Sequence, residues 1–374
     1  MTPLVILDSS HPLVRQNRCF EKSEIDALHG NSFYFQLQQE GKKRGFEFIT
    51  ADEYLTMSHS PFALCVTDMF SPYTEKVLEK GAFPAVCSSM ESPIIAKKFY
   101  HHIKKYSGHF RYNIQFRGTQ ERFRDLKTDF HTMHYPVERL FPPLSDTTWK
   151  NKKYLTLINR NKRSLILDFK GLNAIKTLAK VAVFKWWQLT DPWMRSREIY
   201  VDRIKAIHYF SQYSDLHLYG EGWDEPVSGF SKKYHESARK AWKQTLPFRE
   251  KNPTLNKYRF SLCFENCSFP GYITEKIFDC FHSGCIPVYF GAPDITDFVP
   301  KLCFIDYRDF KSFTQLDKFL REMSEETGKE YLDAAYSFLQ SPECESFYQN
   351  VYIDTLLDLL ENYKKEIEAG RIFK

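Results

Sequence analysis

Five residues in one short span could do chemistry together: Glu265, Asn266, Tyr272, Glu275 and Lys276. Tyr272, Glu275 and Lys276 stand at i, i+3 and i+4, so a helix over 272–282 would carry them on one face of its first turn. A helix start offers free N–H groups and a partial positive charge, which suits a diphosphate. Lys276 adds a full charge, and Glu275 could accept hydrogen bonds from ribose hydroxyls. The plainer alternative is a capped helix whose Glu and Lys are simply solvated. No GxGxxG or GxxxxGK[ST] occurs, so neither the dinucleotide-oxidoreductase fingerprint nor a P-loop is supported.

A second group is Glu91 within Met90-Glu91-Ser92-Pro93, at the tip of an apolar run. A carboxylate at a strand end could take a proton from an attacking hydroxyl; it could equally be a loop carboxylate bonded to nearby N–H groups. A third is the cationic set Arg160, Lys162, Arg163, Arg195, Arg197 and Arg203. Read on one helix over 197–213, Arg197 and Arg203 point in different directions, so at most one enters a shared site. His131 and His134 with Asp129 make an HxxH pair that lacks the Glu and third ligand of zinc helices, and no metal ligand is assigned.

The elements that must position these residues alternate strand and helix. LVIL (4–7) is a buried strand ending at Asp8-Ser9-Ser10. Short strands are expected at 33–37, 46–49 and 110–116, and apolar runs at 61–70 and 82–93 each end in polar residues. Residues 131–146, with Pro136, Pro142 and Pro143, read as a linker. YLTLIN (154–159), LHLYG (216–220), YRFSLCF (258–264), IPVYFG (286–291) and LCFIDY (302–307) then repeat the pattern, and 310–341 and 351–368 read as helices. Residues 258–291 form a βαβ unit, which gathers polar groups at the carboxyl ends of parallel strands. The fold class expected is α/β, two Rossmann-like domains facing across a cleft. The expected domains are 1–148, 149–345 and a C-terminal helix, 346–374, that packs back on the first domain. That helix sets Lys364, Lys365, Arg371 and Lys374 beside Leu356, Leu357, Leu359 and Leu360, so a peripheral membrane contact is its alternative.

Composition narrows the class. The chain has 374 residues, 43% hydrophobic and 26% charged, and a net charge of +5, which is too mild to argue for nucleic acid. The N-terminus lacks a basic region and a long apolar stretch, so no signal peptide is expected, and no run is long enough to span a bilayer. The nine cysteines are scattered without zinc spacing and are expected to be reduced core thiols of a cytoplasmic protein, peripheral at the inner membrane face if the last helix meets lipid.

Phe264-Glu265-Asn266, Tyr272-x-Thr274-Glu275-Lys276 and Gly284-x-Ile286-Pro287-Val288-x-x-Gly291-Ala292 together resemble the signature of the α1,3/α1,4-fucosyltransferases, glycosyltransferase family ten. Met90-Glu91-Ser92-Pro93 resembles the family's ESP motif, residues 110–117 its FNWTxxYR segment, Leu157-Ile158-Asn159 its VSN strand end, Arg197-x-x-Tyr200-Val201 its RxxYV helix, and Leu218-Tyr219-Gly220 its VDxYG strand. The resemblance implies a GT-B fold and an inverting transfer of fucose from GDP-fucose to a hydroxyl of an N-acetylglucosamine or glucose unit of a surface glycan. The 3-hydroxyl is expected, with the 4-hydroxyl as the alternative. It implies Glu91 as general base, Arg197 and Lys276 as the cations that neutralise the diphosphate, and Asn159, Glu265, Asn266, Tyr272, Thr274 and Glu275 as the donor site. No cofactor is required; a divalent ion (Mn or Mg) is at most stimulatory. The partners implied are GDP-fucose and an oligosaccharide acceptor. A relative using another GDP-sugar and a non-catalytic nucleotide- or glycan-binding protein are the other readings. Three departures stand out. Ile158 replaces the family's Ser, the span from Asn159 to Arg197 is long (leaving Arg203 or Arg160 as substitutes), and GTQERFRDLKTDF replaces an acidic tract after the 110–117 segment.

Overall fold

The computed structural model describes residues 2–12, 14–21, 33–126, 128–140, 148–161, 182, 186, 197–213, 215–226 and 230–371; the side chains at 106, 107, 197 and 248 lie outside that description. The chain divides into two compact units, Met1–Pro136 with Ser346–Lys374, and Val137–Glu345. The division falls between Pro136 and Val137, ahead of the expected 148/149.

The first unit is a six-stranded parallel sheet of β1 (Leu4–Ser9), β2 (Glu47–Thr50), β3 (Ala63–Asp68), β4 (Phe83–Ser88), β5 (Tyr112–Gln115) and β6 (Asp129–Thr132), in the order β2-β1-β3-β4-β5-β6. Every residue of β1 is buried, as expected of a parallel strand covered on both faces. Two expectations need correction. Residues 33–37 open a helix, Phe33–Lys43, because Phe33, Leu37 and Gly41 fall four apart and are buried together. Asp129–Thr132 is the edge strand β6, where a linker was expected from residue 131. Backbone pairing with β5 outweighs its polar composition.

The last helix, Gln349–Glu368, packs within this first unit against the Phe33–Lys43 helix and β4. Arg44 pairs with Asp354 at 2.7 Å and Arg111 with Glu366 at 2.8 Å. Gly41 permits the close approach: a Cβ there would lie 2.2 Å from the Phe48 ring and 3.3 Å from Leu357. Leu356, Leu357, Leu359 and Leu360 are all buried. The leucines that a membrane contact would need are therefore spent on the core, and that expectation is withdrawn. Among the described residues, no helix is long and apolar enough to cross a membrane.

The second unit holds β7 (Lys153–Ile158), β8 (Arg197–Glu198), β9 (Leu216–Tyr219), β10 (Trp242–Gln244), β11 (Tyr258–Phe264), β12 (Cys267–Ser268), β13 (Ile286–Phe290) and β14 (Ile305–Asp306). Six of these form a parallel sheet in the order β10-β9-β7-β11-β13-β14, and β12 pairs antiparallel with β8. From β7 the chain runs outward to β9 and β10, then returns to β11 on the other side of β7. The strand order therefore reverses between β7 and β11, the place where open α/β sheets take their ligands. All nine cysteines are free and buried.

Candidate functional site

The carboxyl end of β11 is Phe264, followed at once by Glu265 and Asn266. Glu265 is fully buried, so its carboxylate must be satisfied internally. Oε1 accepts from the Thr274 backbone N–H at 2.9 Å and from the Thr274 hydroxyl at 2.8 Å. Oε2 accepts from Lys276 Nζ at 2.8 Å. Lys276 Nζ also donates to Thr274 Oγ1 at 2.8 Å. Burial opposes the Lys276 charge, but Glu265 and then Glu275 outweigh it and hold the ammonium well above the usual lysine value.

Sequence reasoning gave these residues different parts. The helix begins at Glu275, with Thr274 as its N-cap. Tyr272 therefore lies in the loop before it and is not on the helix face. A Glu265 carboxylate that ties Thr274 to Lys276 fixes where the helix starts, three residues later than periodicity suggests. Tyr272 is buried, and its hydroxyl accepts from Asn266 Nδ2 at 3.2 Å. Asn266 O accepts from the Ile199 N–H, beside the β8–β12 ladder. Glu265 thus supports the site from inside, with no surface open to a donor.

Glu275 is partly exposed and faces two cations, Lys276 at 3.8 Å and Lys251 at 3.6 Å. Burial would raise its pKa, but Lys276 and Lys251 overcome that and bring it down to about 2. Lys251 also pairs with Asp279. Burial pushes Asp279 up to about 6, with Glu275 adding to the rise and Lys251 resisting it. Lys251 was missed from the sequence. Its signal was present, because Glu275 and Asp279 at i, i+4 repel unless a cation joins them, but the pattern does not say which one.

The cation assignments change most. Arg197 is in the short strand β8, opposite Ser268, and not on a helix; its side chain lies outside the described residues, as do Lys162, Arg163 and Arg195. Arg203 is on the helix Tyr200–Ser211 and is buried. Its Nη2 donates to the carbonyls of Phe264 at 2.8 Å and Glu265 at 3.0 Å. It holds the end of β11. Arg160 is exposed and pairs with Glu221 at 3.0 Å. Around the helix start, Arg203, Lys251 and Lys276 face Glu265, Glu275 and Asp279, so this cluster is balanced before any ligand arrives.

At the end of β7, Asn159 is held by its backbone: its N–H donates to Tyr219 O at 2.9 Å and its carbonyl accepts from Trp223 Nε1 at 2.6 Å. Gly220, at φ +122, is required there, since a Cβ would lie 2.1 Å from Asn159 O. Gly291 is equally constrained: a Cβ would sit 2.3 Å from the Tyr289 hydroxyl and 2.6 Å from Glu265 Cγ.

In the first unit, Glu91 sits in the bend after β4, partly buried. Its carbonyl accepts from Tyr100 OH at 3.0 Å and Ser89 Oγ at 3.1 Å. Met90 N donates to Asp68 Oδ1 at 3.4 Å. Burial pushes Asp68 up to about 7, with Glu91 and Asp8 adding to the rise against the Met90 N–H. His131 packs edge-on to Tyr112 and His134 to Phe347, and burial brings His134 down to about 4.

A parallel sheet whose order reverses beside Asn159 and Glu265 places the second unit in the doubly wound α/β class, whose ligands enter at that reversal. Residues 187–336 match the family described as Glycosyltransferase family 10 (fucosyltransferase) C-term. An Alpha-(1,3)-fucosyltransferase FucT of Helicobacter pylori is 37% identical over 121 residues, 30% of this chain and 25% of that protein. An Alpha-(1,4)-fucosyltransferase of Arabidopsis thaliana is 36% identical over 72 residues, 19% of this chain and 18% of that one. The matches thus span a quarter or less of those two relatives. A crystal structure of an alpha1,3-fucosyltransferase covers 96% of this chain and 89% of its own at 15% identity and a TM-score of 0.49, a likeness too remote to argue from.

Proposed function

We propose that this protein transfers fucose from GDP-fucose to a hydroxyl, the 3-hydroxyl first and the 4-hydroxyl second, of an N-acetylglucosamine or glucose unit of a glycan. The observation that carries the reading is the Glu265–Thr274–Lys276 arrangement at the strand-order reversal, inside the stretch that matches family ten. The reaction proposed is a single inverting displacement. The acceptor oxygen forms its bond to C1 as Glu91 takes its proton, and the bond from C1 to the diphosphate oxygen breaks with its electron pair going to GDP. Lys276, held by Glu265 with two of its three protons engaged, directs the third at the phosphate charge that grows on GDP. Arg197 is the second cation of this reading. Asn266, Tyr272 and Thr274 shape the donor pocket, Glu275 accepts from ribose hydroxyls, and Asn159 lines the far wall.

Because the cluster at the helix start is balanced, Lys276 alone does not offset a diphosphate. Arg197, or a divalent ion arriving with the nucleotide, supplies the remainder in this proposal. The test is turnover of GDP-fucose against other nucleotide sugars on N-acetyllactosamine-type acceptors, with linkage analysis of the product and a parallel run in EDTA. Fucosylated product from GDP-fucose is expected. Turnover with UDP-sugars only would overturn the donor assignment, and GDP binding without transfer would favour a binding protein.

A further inference from the structure

A pocket of about 130 Å³ lies at the carboxyl end of β3, among Met69, Phe70, Glu75, Lys98, Phe99 and His102. That volume has room for roughly ten water-sized atoms, the bulk of one pyranose ring. The backbone at its mouth is strained: Met69 and Phe70 take φ of 62° and 44° in succession. Consecutive non-glycine residues in that region persist only where surroundings impose them. Met69 N donates to Ser88 O at 3.1 Å. The Phe70 ring packs 4.9 Å from Phe99 and 6.2 Å from Phe110. Ser71 and Thr74 both donate to the buried Asp8. The strain presents aromatic carbon to the pocket.

The titratable groups on the lining are Glu75, Lys98 and His102. The helix Lys97–Ser107 carries Lys97, Lys98, Lys104 and Lys105 and no acid. Glu75, the carboxylate on the lining, is 3.5 Å from Lys105. Among the described residues, no carboxylate lies within ion-pair distance of Lys98. His102 is drawn below the usual histidine value by burial and then by the positive charges of His101, Lys98 and Lys105. The pocket is also tied to the bend that carries Glu91. Tyr100 of the same helix donates to Glu91 O, and Asp68, next to Met69, accepts from Met90 N.

We propose that this pocket binds an anionic sugar residue of the acceptor, with Phe70 and Phe99 against the ring and Lys98 and His102 against its carboxylate or phosphate. The word acceptor rests on the fucosyl-transfer reading; the pocket's preference for an anionic sugar does not. The test is equilibrium binding to the full chain, without donor, of glucuronate, glucose 6-phosphate, glucose and inorganic phosphate. Glucuronate or glucose 6-phosphate is expected to bind at least tenfold more tightly than glucose or phosphate, and the stronger of the two identifies the anion. Lys98→Ala should weaken that binding by about tenfold, the loss of one charge-assisted contact, and His102→Ala, which removes a neutral N–H donor, by a few-fold, both without moving the thermal midpoint or GDP affinity. Equal binding of glucose, equal binding of inorganic phosphate, or indifference to both substitutions would overturn the proposal. Failure to turn over GDP-fucose while anionic sugars still bind would sink the transferase reading and leave the pocket assignment standing.

Discussion

The Glu265–Lys276 pair allows a quantitative test. Glu265 is fully buried and Lys276 partly so, and they meet at 2.8 Å. Removing one partner of a buried pair strands the other and costs about 3–5 kcal/mol. Glu265→Gln keeps the volume and one acceptor for Thr274, so the lower end applies, about 3 kcal/mol. Lys276→Met strands Glu265 with only the Thr274 contacts and should cost a similar amount. At roughly 2–4 °C per kcal/mol for a domain of this size, each single variant should melt about 6–12 °C below wild type. The double variant strands no charge and should melt no lower than either single one, a coupling of about 3 kcal/mol in a double-mutant cycle. Denaturant titration of all four proteins gives the cycle directly. Additive losses, or single variants within about 0.5 kcal/mol of wild type, would refute the claim that this pair is desolvated and mutually dependent. GDP titration of the same set separates structure from function: Lys276→Met should weaken GDP by about tenfold, whereas a stable variant with unchanged affinity would remove Lys276 from the diphosphate.

Other substitutions test the rest of the site. Glu91→Gln should reduce fucosyl transfer by roughly 10²-fold or more while GDP affinity measured by calorimetry stays near wild type; equal turnover would remove Glu91 as base. Gly291→Ala drives a methyl into the Tyr289 hydroxyl and Glu265 Cγ, so it should cost about 1–3 kcal/mol and raise the Kd for GDP through the displaced carboxylate. Asp68 has a folded pKa above its unfolded one. The stability it contributes is full below the unfolded carboxylate range and is lost as pH rises through about 7. Asp68→Asn should therefore raise the thermal midpoint relative to wild type at pH 8 and leave it little changed at pH 4.

The sequence by itself determined the alternation of strands and helices, the α/β class, and the ordered FEN, YxTEK and GxIPVxxGA segments that mark the second unit. Each of these is written in short-range patterns: β13 is a continuous apolar run, and β11 is apolar but for Arg259 and Ser261. The misreadings at 33–37 and 272–274 have one cause. A single turn of apolar spacing is compatible with strand or helix, and what decided each case was a distant partner, the core around Phe48 and Leu357 for the first and the Glu265 carboxylate for the second. Only the tertiary structure decided which cation does what. Arg197 and Arg203 look interchangeable on the page, yet one lies in a two-residue strand and the other is buried under the carbonyls of Phe264 and Glu265. It also brought Lys251 to Glu275 and Asp279, and enclosed Glu265 so that an apparent ligand contact became the anchor of Lys276. Burial and ion-pair choice depend on residues far apart in the chain, and no local spacing records them.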